Sequence, residues 1–163
     1  MTYGAIKLDR RFFESTRGQI VTILRASLNQ LINVLKNRLM PSEIEDVLRE
    51  VGRAIAAGTP GGQDDFESRM QSAVNVLEAI GGAATVEQHE DKIVIQGSSC
   101  PLAAAVSVHP EFCQLAETLV AEIVKAPVEE LCDRTGRPRC RFEISRKEAQ
   151  KRSRPQKAHK TQK

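Results

Sequence analysis

The chain has 163 residues and a mass of 18.0 kDa, which suits one folded domain with extensions. Apolar residues at 40% and charged residues at 28% give a globular balance, and no apolar run approaches the roughly 20 residues needed to span a bilayer. The net charge of +3 hides an asymmetry: residues 146–163 hold eight Lys/Arg and one Glu, whereas residues 1–145 hold sixteen Lys/Arg against twenty Asp/Glu.

The opening MTYGAIKLDRR has no apolar core of the kind a signal peptide needs. The expectation is a cytoplasmic protein whose four cysteines are reduced thiols. Trp is absent and Tyr occurs once, which argues against aromatic stacking platforms for single-stranded nucleic acid.

Leu8 to Met40 reads as helix, with a weak point at Gly18. Ile20, Ile23, Leu24, Leu28, Leu31, Ile32, Leu35 and Leu39 recur at three- and four-residue steps and form one stripe. Met40-Pro41-Ser42 ends that helix. Ser42 with Glu45 is a capping-box pattern that starts a second helix through Ile44, Val47, Leu48, Val51 and Ile55. GTPGG at 58–62 is a loop. A third helix runs from Asp64 to Ile80 with Phe66, Met70, Val74, Leu77 and Ile80 inward, and Gly81-Gly82 stops it.

After Gly82 the period changes. ATVEQ at 84–88 and KIVIQG at 92–97 form a hairpin turning at HED. Cys100 to Val106 is a short helical turn, and Pro110 to Lys125 a helix with Phe112, Leu115, Leu119, Val120 and Ile123 inward. VEELC at 128–132 and RCRFEI at 139–144 flank a Gly/Pro turn as a second hairpin. The fold class is α+β: N-terminal helices packed against a small antiparallel sheet of two hairpins with an intervening helix. The organisation is a helical segment at 1–62, a cysteine-bearing domain at 63–145 and a disordered basic tail at 146–163.

All four cysteines fall between residues 100 and 140, spaced C-x12-C-x18-C-x7-C. Cys100 precedes Pro101, which puts it at a helix N-cap. Cys113 lies in the first turn of its helix. Both thiols therefore sit near helix N-termini, where thiolate is favoured. With Gly136 at the turn midpoint, Cys132 and Cys140 face each other across the hairpin. Alternation puts Cys140 on the apolar face of Phe142 and Ile144, and the same register puts Glu130 there too.

Each cysteine alone reads as a small buried hydrophobe. Four together favour a soft-metal site at Cys100, Cys113, Cys132 and Cys140. A zinc knuckle would need C-x2-C, whereas an iron–sulfur cluster needs only converging thiolates. A redox thiol pair, Cys132 with Cys140, is a further option. His109 caps its helix or is exposed, with a metal-ligand role as the lesser alternative. An enzymatic Cys113 nucleophile with His109 lacks a clearly placed orienting acid, and no phosphate loop, zinc-protease motif or dinucleotide fingerprint is present. The expectation is a protein that is not an enzyme.

The segment IVIQGSSCPLAAAVSVHPEFCQLAETLVAEIVKAPVEELCDRTGRPRCRFEI resembles the sensory half of winged-helix regulators of the DeoR/ArsR type, closest in kind to SufR-like iron–sulfur repressors. The resemblance covers residues 84–145. It rests on a Cys-Pro after a strand, H-P-x-x-C, and a terminal C-R-F-x-I. It implies an iron–sulfur cluster on Cys100, Cys113, Cys132 and Cys140, with Cys132 the least certain position. It also implies a homodimer, or a heterodimer with a related regulator. DRRFFESTRGQIVTILR is similar to the family's opening helix and MPSEIEDVLREVGRAIAAG to the helix after its winged helix. Between them only ASLNQLINVLKNRL stands, without a recognition helix or wing. This departure puts major-groove reading in doubt. A related resemblance, to small-ligand domains of the vinyl-reductase type, implies a metal-free pocket lined by cysteines.

Arg146, Lys147, Lys151, Arg152, Arg154, Lys157, Lys160 and Lys163 form the basic run. It suits sequence-independent attraction to DNA or RNA phosphates, or simply a solvated tail. It has no apolar anchor for a membrane.

Overall fold

The computed structural model describes residue 23 and residues 26–59, 65–100, 102–147 and 149. Most of the first predicted helix with its Gly18 break, Gly61 and Gly62 of the 58–62 loop, Pro101, and the cations from Lys151 to Lys163 lie outside the described residues. The chain divides into two compact units, Met1–Met40 and Pro41–Lys163.

In the first unit, residues 26–36 form helix α1. It ends four residues before the predicted Met40. Pro41 disfavours helical backbone at the residue before it, and residues 37–39 turn instead. Leu28, Leu31 and Val34 are exposed along α1, at 37%, 55% and 47%.

The second unit opens with α2 (Pro41–Ala57). Pro41 is the first helical residue, so Ser42 is not the cap that the sequence suggested. Proline's fixed φ and missing N–H suit that first position. Helix α3 (Phe66–Ala79) starts at the N-cap Asp65, whose side chain accepts the Ser68 N–H at 2.8 Å. Gly81, at φ 96°, ends it. Its N–H bonds to the Glu78 carbonyl at 2.9 Å and that of Gly82 to the Leu77 carbonyl at 2.8 Å, the paired bonds of a Schellman close. Ile80 is the C-cap and is exposed rather than inward.

Strands β1 (Ala83–Gln88) and β2 (Lys92–Ser99) form the first hairpin. A short helix α4 (Ala103–Val106) and helix α5 (Phe112–Val124) follow. Strands β3 (Val128–Glu130) and β4 (Arg141–Ser145) form the second hairpin. The fold is α+β as the periodicity predicts. The hairpins join into one antiparallel sheet of order β1-β2-β4-β3, because β2 pairs with β4, Ile93 opposite Ile144 and Ile95 opposite Phe142.

Those four side chains are at most 6% exposed. With Met70, Leu77, Val120 and Val124 they form the core. Helix α3 lies against β1 and α5, and α5 against β3. The principal partner of α2 is α5. Gly52 allows this approach: a Cβ there would stand 2.7 Å from the Leu115 carbonyl oxygen. Buried Arg69 of α3 donates its Nε–H to the Val124 carbonyl at 3.1 Å, satisfying an acceptor at the end of α5.

The folded chain continues beyond residue 145. Arg146 and Lys147 are helical and Ala149 is buried in the core. The Arg146 amide donates to the Asp91 carbonyl at 3.1 Å and its guanidinium to Gln88 Oε1 at 2.8 Å. Arg146 therefore belongs to the fold and not to a free tail. No described helix is long and apolar enough to cross a membrane.

Candidate metal centre

The four cysteines come from four different places in the chain. Cys100 follows β2, Cys113 sits in the first turn of α5, Cys132 follows β3 and Cys140 precedes β4. The second hairpin explains the last two. Val128 pairs with Ile144, Glu130 with Phe142, and Asp133 with Arg139. The same register carried along the hairpin sets Cys132 opposite Cys140, about the midpoint Gly136 at φ 63°. The sequence reading of this turn holds.

The predicted strand at 128–132 nonetheless stops at Glu130. Two local bonds divert the ladder. Glu130 Oε1 accepts the Cys132 N–H at 2.7 Å, and the Arg141 N–H points to the Cys132 sulfur at 3.2 Å. An N–H aimed at sulfur is the outer support that thiolate ligands use.

Cys100 is held beside Cys140 by main-chain bonds. The Gly97 N–H donates to the Cys140 carbonyl at 2.7 Å, and the Cys100 N–H to the Pro138 carbonyl at 3.0 Å. A bulge between Gly97 and Ser99 shifts the β1–β2 register and re-aims the end of β2. Gly97 permits this fit, since a Cβ there would lie 3.2 Å from the Cys140 Cβ. The predicted N-cap role of Cys100 is not met. Helix α4 begins at Ala103 with Leu102 as its cap, and Cys100 contributes its carbonyl to the Ala103 N–H at 3.1 Å.

All four thiols are free, Cys113 and Cys140 buried, Cys100 and Cys132 half-buried. They neighbour one another in a series, with Cys113 beside Cys132, Cys132 beside Cys140, and Cys140 beside Cys100, while the three-donor group with all ligand atoms within 4.8 Å among the described residues is Cys113, Glu130 and Cys132, without Cys100 or Cys140. The bond from Cys140 holds the Cys100 thiol below its ordinary value. The same bond, from the donor's side, pushes Cys140 up to about 12. At Cys132 the bond from Cys113 acts downward, but its own bond to Cys140 and burial outweigh it and the thiol is raised. Cys113 is raised by its bond to Cys132 and then by burial, contrary to the thiolate expected from its helix N-terminus. A sulfur donating to another sulfur keeps its proton, and that outweighs the weak field of one helix end. Protons held this way are what a soft cation displaces on binding.

Glu130 and Arg134 complete the site. The Glu130 side chain is 7% exposed. Its carboxylate is ion-paired with Arg134, and the Arg134 Nε–H points at the Cys113 sulfur at 3.5 Å. One ligand atom each from Cys113, Glu130 and Cys132 lie within 4.8 Å of one another. The sequence placed Glu130 on the apolar face as an apparent flaw. The signal that resolves it was four residues on, an arginine able to reach back.

His109 is 2% exposed, neither a cap nor a surface residue. Glu111 caps α5 instead. The His109 Nδ1 lies 3.7 Å from Glu111 Oε1, and its ring meets Phe112 edge-on. The sequence reading missed Glu111 as a neighbour of this imidazole.

The chain matches no family model and no curated protein.

Glu117 on α5 carries a smaller consequence. Burial, then the charge of Glu130, raises its carboxyl. A carboxyl raised in the folded state contributes stability below the unfolded value near about 4.3, which is lost as pH rises through the higher folded value. Glu117→Gln is therefore expected to raise the melting temperature at pH 7. The gain should vanish below pH ~4, as thermal melts at both pH values would show.

Proposed function

We propose that this chain is a sensory and dimerisation protein of the transcriptional-regulator kind, holding an iron–sulfur cluster through Cys100, Cys113, Cys132 and Cys140. What supports the reading is the approach of four thiols from separated segments, each beside another, at one end of the sheet. The donor set fits, since soft thiolates at an apolar boundary suit iron–sulfur chemistry. Such a cluster supplies one-electron chemistry and sensitivity to oxidants.

The chain's own part is to hold and report. Cys132 and Cys140 belong to the hairpin and Cys113 to α5, so a shared ligand fixes the hairpin against that helix. Helix α5 in turn is packed on α2 at Gly52. The exposed strip of Leu28, Leu31 and Val34 supports pairing through α1, with a second copy or a related regulator. The basic residues after Lys147 would add sequence-independent attraction to DNA or RNA. No enzymatic role is proposed, and the cytoplasm is the compartment in which such thiols stay reduced.

The metal-free alternative takes a small ligand in a pocket lined by cysteines. Two surface depressions, one lined by Lys92, Val128, Glu129 and Ser145 and one by Glu78, Thr85, Gln96 and Arg139, hold no cysteine.

Anaerobic purification with a visible spectrum and iron and acid-labile sulfide assays tests the proposal. The expected result is a brown protein with iron and sulfide, both lost in Cys113→Ser. A colourless chain with four titratable thiols contradicts it.

A further inference from the structure

The four-cysteine reading leaves Glu130 unused. Strand alternation sets this residue opposite Phe142, on the side of the sheet that faces the core. An ionised carboxylate so placed needs a counter-charge. Arg134 supplies it, and the same guanidinium reaches the Cys113 sulfur. Its side chain is 44% exposed, so it has room to swing into solvent. The carboxylate is also oriented, because Oε1 is held by the Cys132 N–H. The Cys132 sulfur is fixed by the Arg141 N–H.

We propose that Cys113, Cys132 and Glu130 form a mononuclear site for a divalent cation of borderline softness, zinc or ferrous iron, with Arg134 supplying the counter-charge in the cation's absence. The donors are within 4.8 Å of one another. Metal–sulfur bonds of about 2.3 Å and metal–oxygen bonds of about 2.0–2.2 Å set tetrahedral donors roughly 3.5 Å apart, so the gap closes by side-chain adjustment of about 1 Å. Two thiolates with one carboxylate suit a borderline ion better than a purely soft one. Three protein ligands leave a fourth position open.

The step balances without any redox partner. The ion binds, the two thiol protons pass to solvent, and the guanidinium leaves the carboxylate for water. Before binding, the two thiols, the carboxylate and the arginine sum to zero charge; after binding, two thiolates, the carboxylate, the arginine and the divalent ion again sum to zero, the ion's charge being balanced by the two protons released to solvent. The site shares two sulfurs with the cluster proposed above but stands independently of it. Because the two share sulfurs, they exclude each other on one chain at one time.

The test uses the full chain, reduced and stripped of metal under anaerobic conditions. It is titrated with cobalt(II) as a coloured substitute, then with zinc in competition. One equivalent of cobalt should bind, with thiolate-to-metal absorption corresponding to two sulfurs. Loss of a ligand should cost at least what loss of an outer partner costs, so Glu130→Gln is expected to weaken zinc binding by about 100-fold. Glu130→Gln keeps the shape and a hydrogen-bond acceptor, and circular dichroism checks that it folds. Arg134→Ala should tighten binding, since the competing cation is gone. The double variant Cys100→Ser with Cys140→Ser removes half of the proposed cluster ligands and should still take one ion. Absorption of four thiolates, unchanged affinity in Glu130→Gln, or no bound ion would each overturn the proposal. The iron and sulfide assay answers separately for the cluster, so either reading can fail alone.

Discussion

Phe142→Ala is expected to destabilise the protein by about 3–5 kcal/mol, read as a shift in the urea midpoint at unchanged slope. Phe142 is fully buried. It lies in β4, between Ile95 of β2 and Glu130 of β3. Truncation removes the ring from both strand interfaces at once and leaves a cavity that paired backbones cannot collapse into. Total stability of a domain is typically about 5–15 kcal/mol, so this one change removes a large share. Cys140 stands two residues earlier on the same side of the strand, so the sulfurs should loosen as well. Phe142→Leu keeps most of the volume and should cost less than about 1.5 kcal/mol. Equal midpoints for the two variants would show that the ring is not packed as described.

Gly52→Ala sets two effects against each other. Alanine is the better helix former by about 0.8–1.0 kcal/mol. Overpacking a tight contact costs about 1–3 kcal/mol. The contact decides the sign. The new Cβ would sit 2.7 Å from the Leu115 carbonyl oxygen and 3.1 Å from the Thr118 Cβ. A backbone oxygen within α5 cannot rotate away, so the helices must separate. The expected net result is a loss of about 1–2 kcal/mol, and a larger one for Gly52→Val. Gly58 offers a control in the same region, since a Cβ there would come no closer than 3.6 Å to the Ile55 carbonyl oxygen. Gly58→Ala should leave the melting temperature nearly unchanged. A stabilised Gly52→Ala would mean that α2 and α5 do not approach at this point.

Much of the fold was legible in the residues because the signals were local. Gly81-Gly82 closes α3 through the two bonds such a pair makes. Alternation from Cys140 to Ile144 fixes which side of β4 faces inward, and Gly136 at the turn fixes Cys132 opposite Cys140. Other features depended on contacts that no local pattern carries. The three- and four-residue steps of α2 show that it has an apolar face, but not that the face meets α5. Gly52 reads as a mild helix weakness until Leu115 is placed against it. Cys100 was misjudged because the bulge and the late start of α4 moved the chain away from a cap. Cys113 was misjudged because a neighbouring sulfur outweighs a helix end. Glu130 looked like an error of register, yet the register was right and Arg134 supplied what the carboxylate required.

Native mass spectrometry of the full chain, purified and kept without oxygen, tests the central claim most directly. The claim is that the four converging thiols hold an iron–sulfur cluster. The predicted spectrum shows the 18.0 kDa chain, or its dimer, carrying the added mass of iron and sulfide, with Cys113→Ser returning to the bare polypeptide mass. A bare polypeptide mass from the parent chain, with all four cysteines open to alkylation on unfolding, would contradict it.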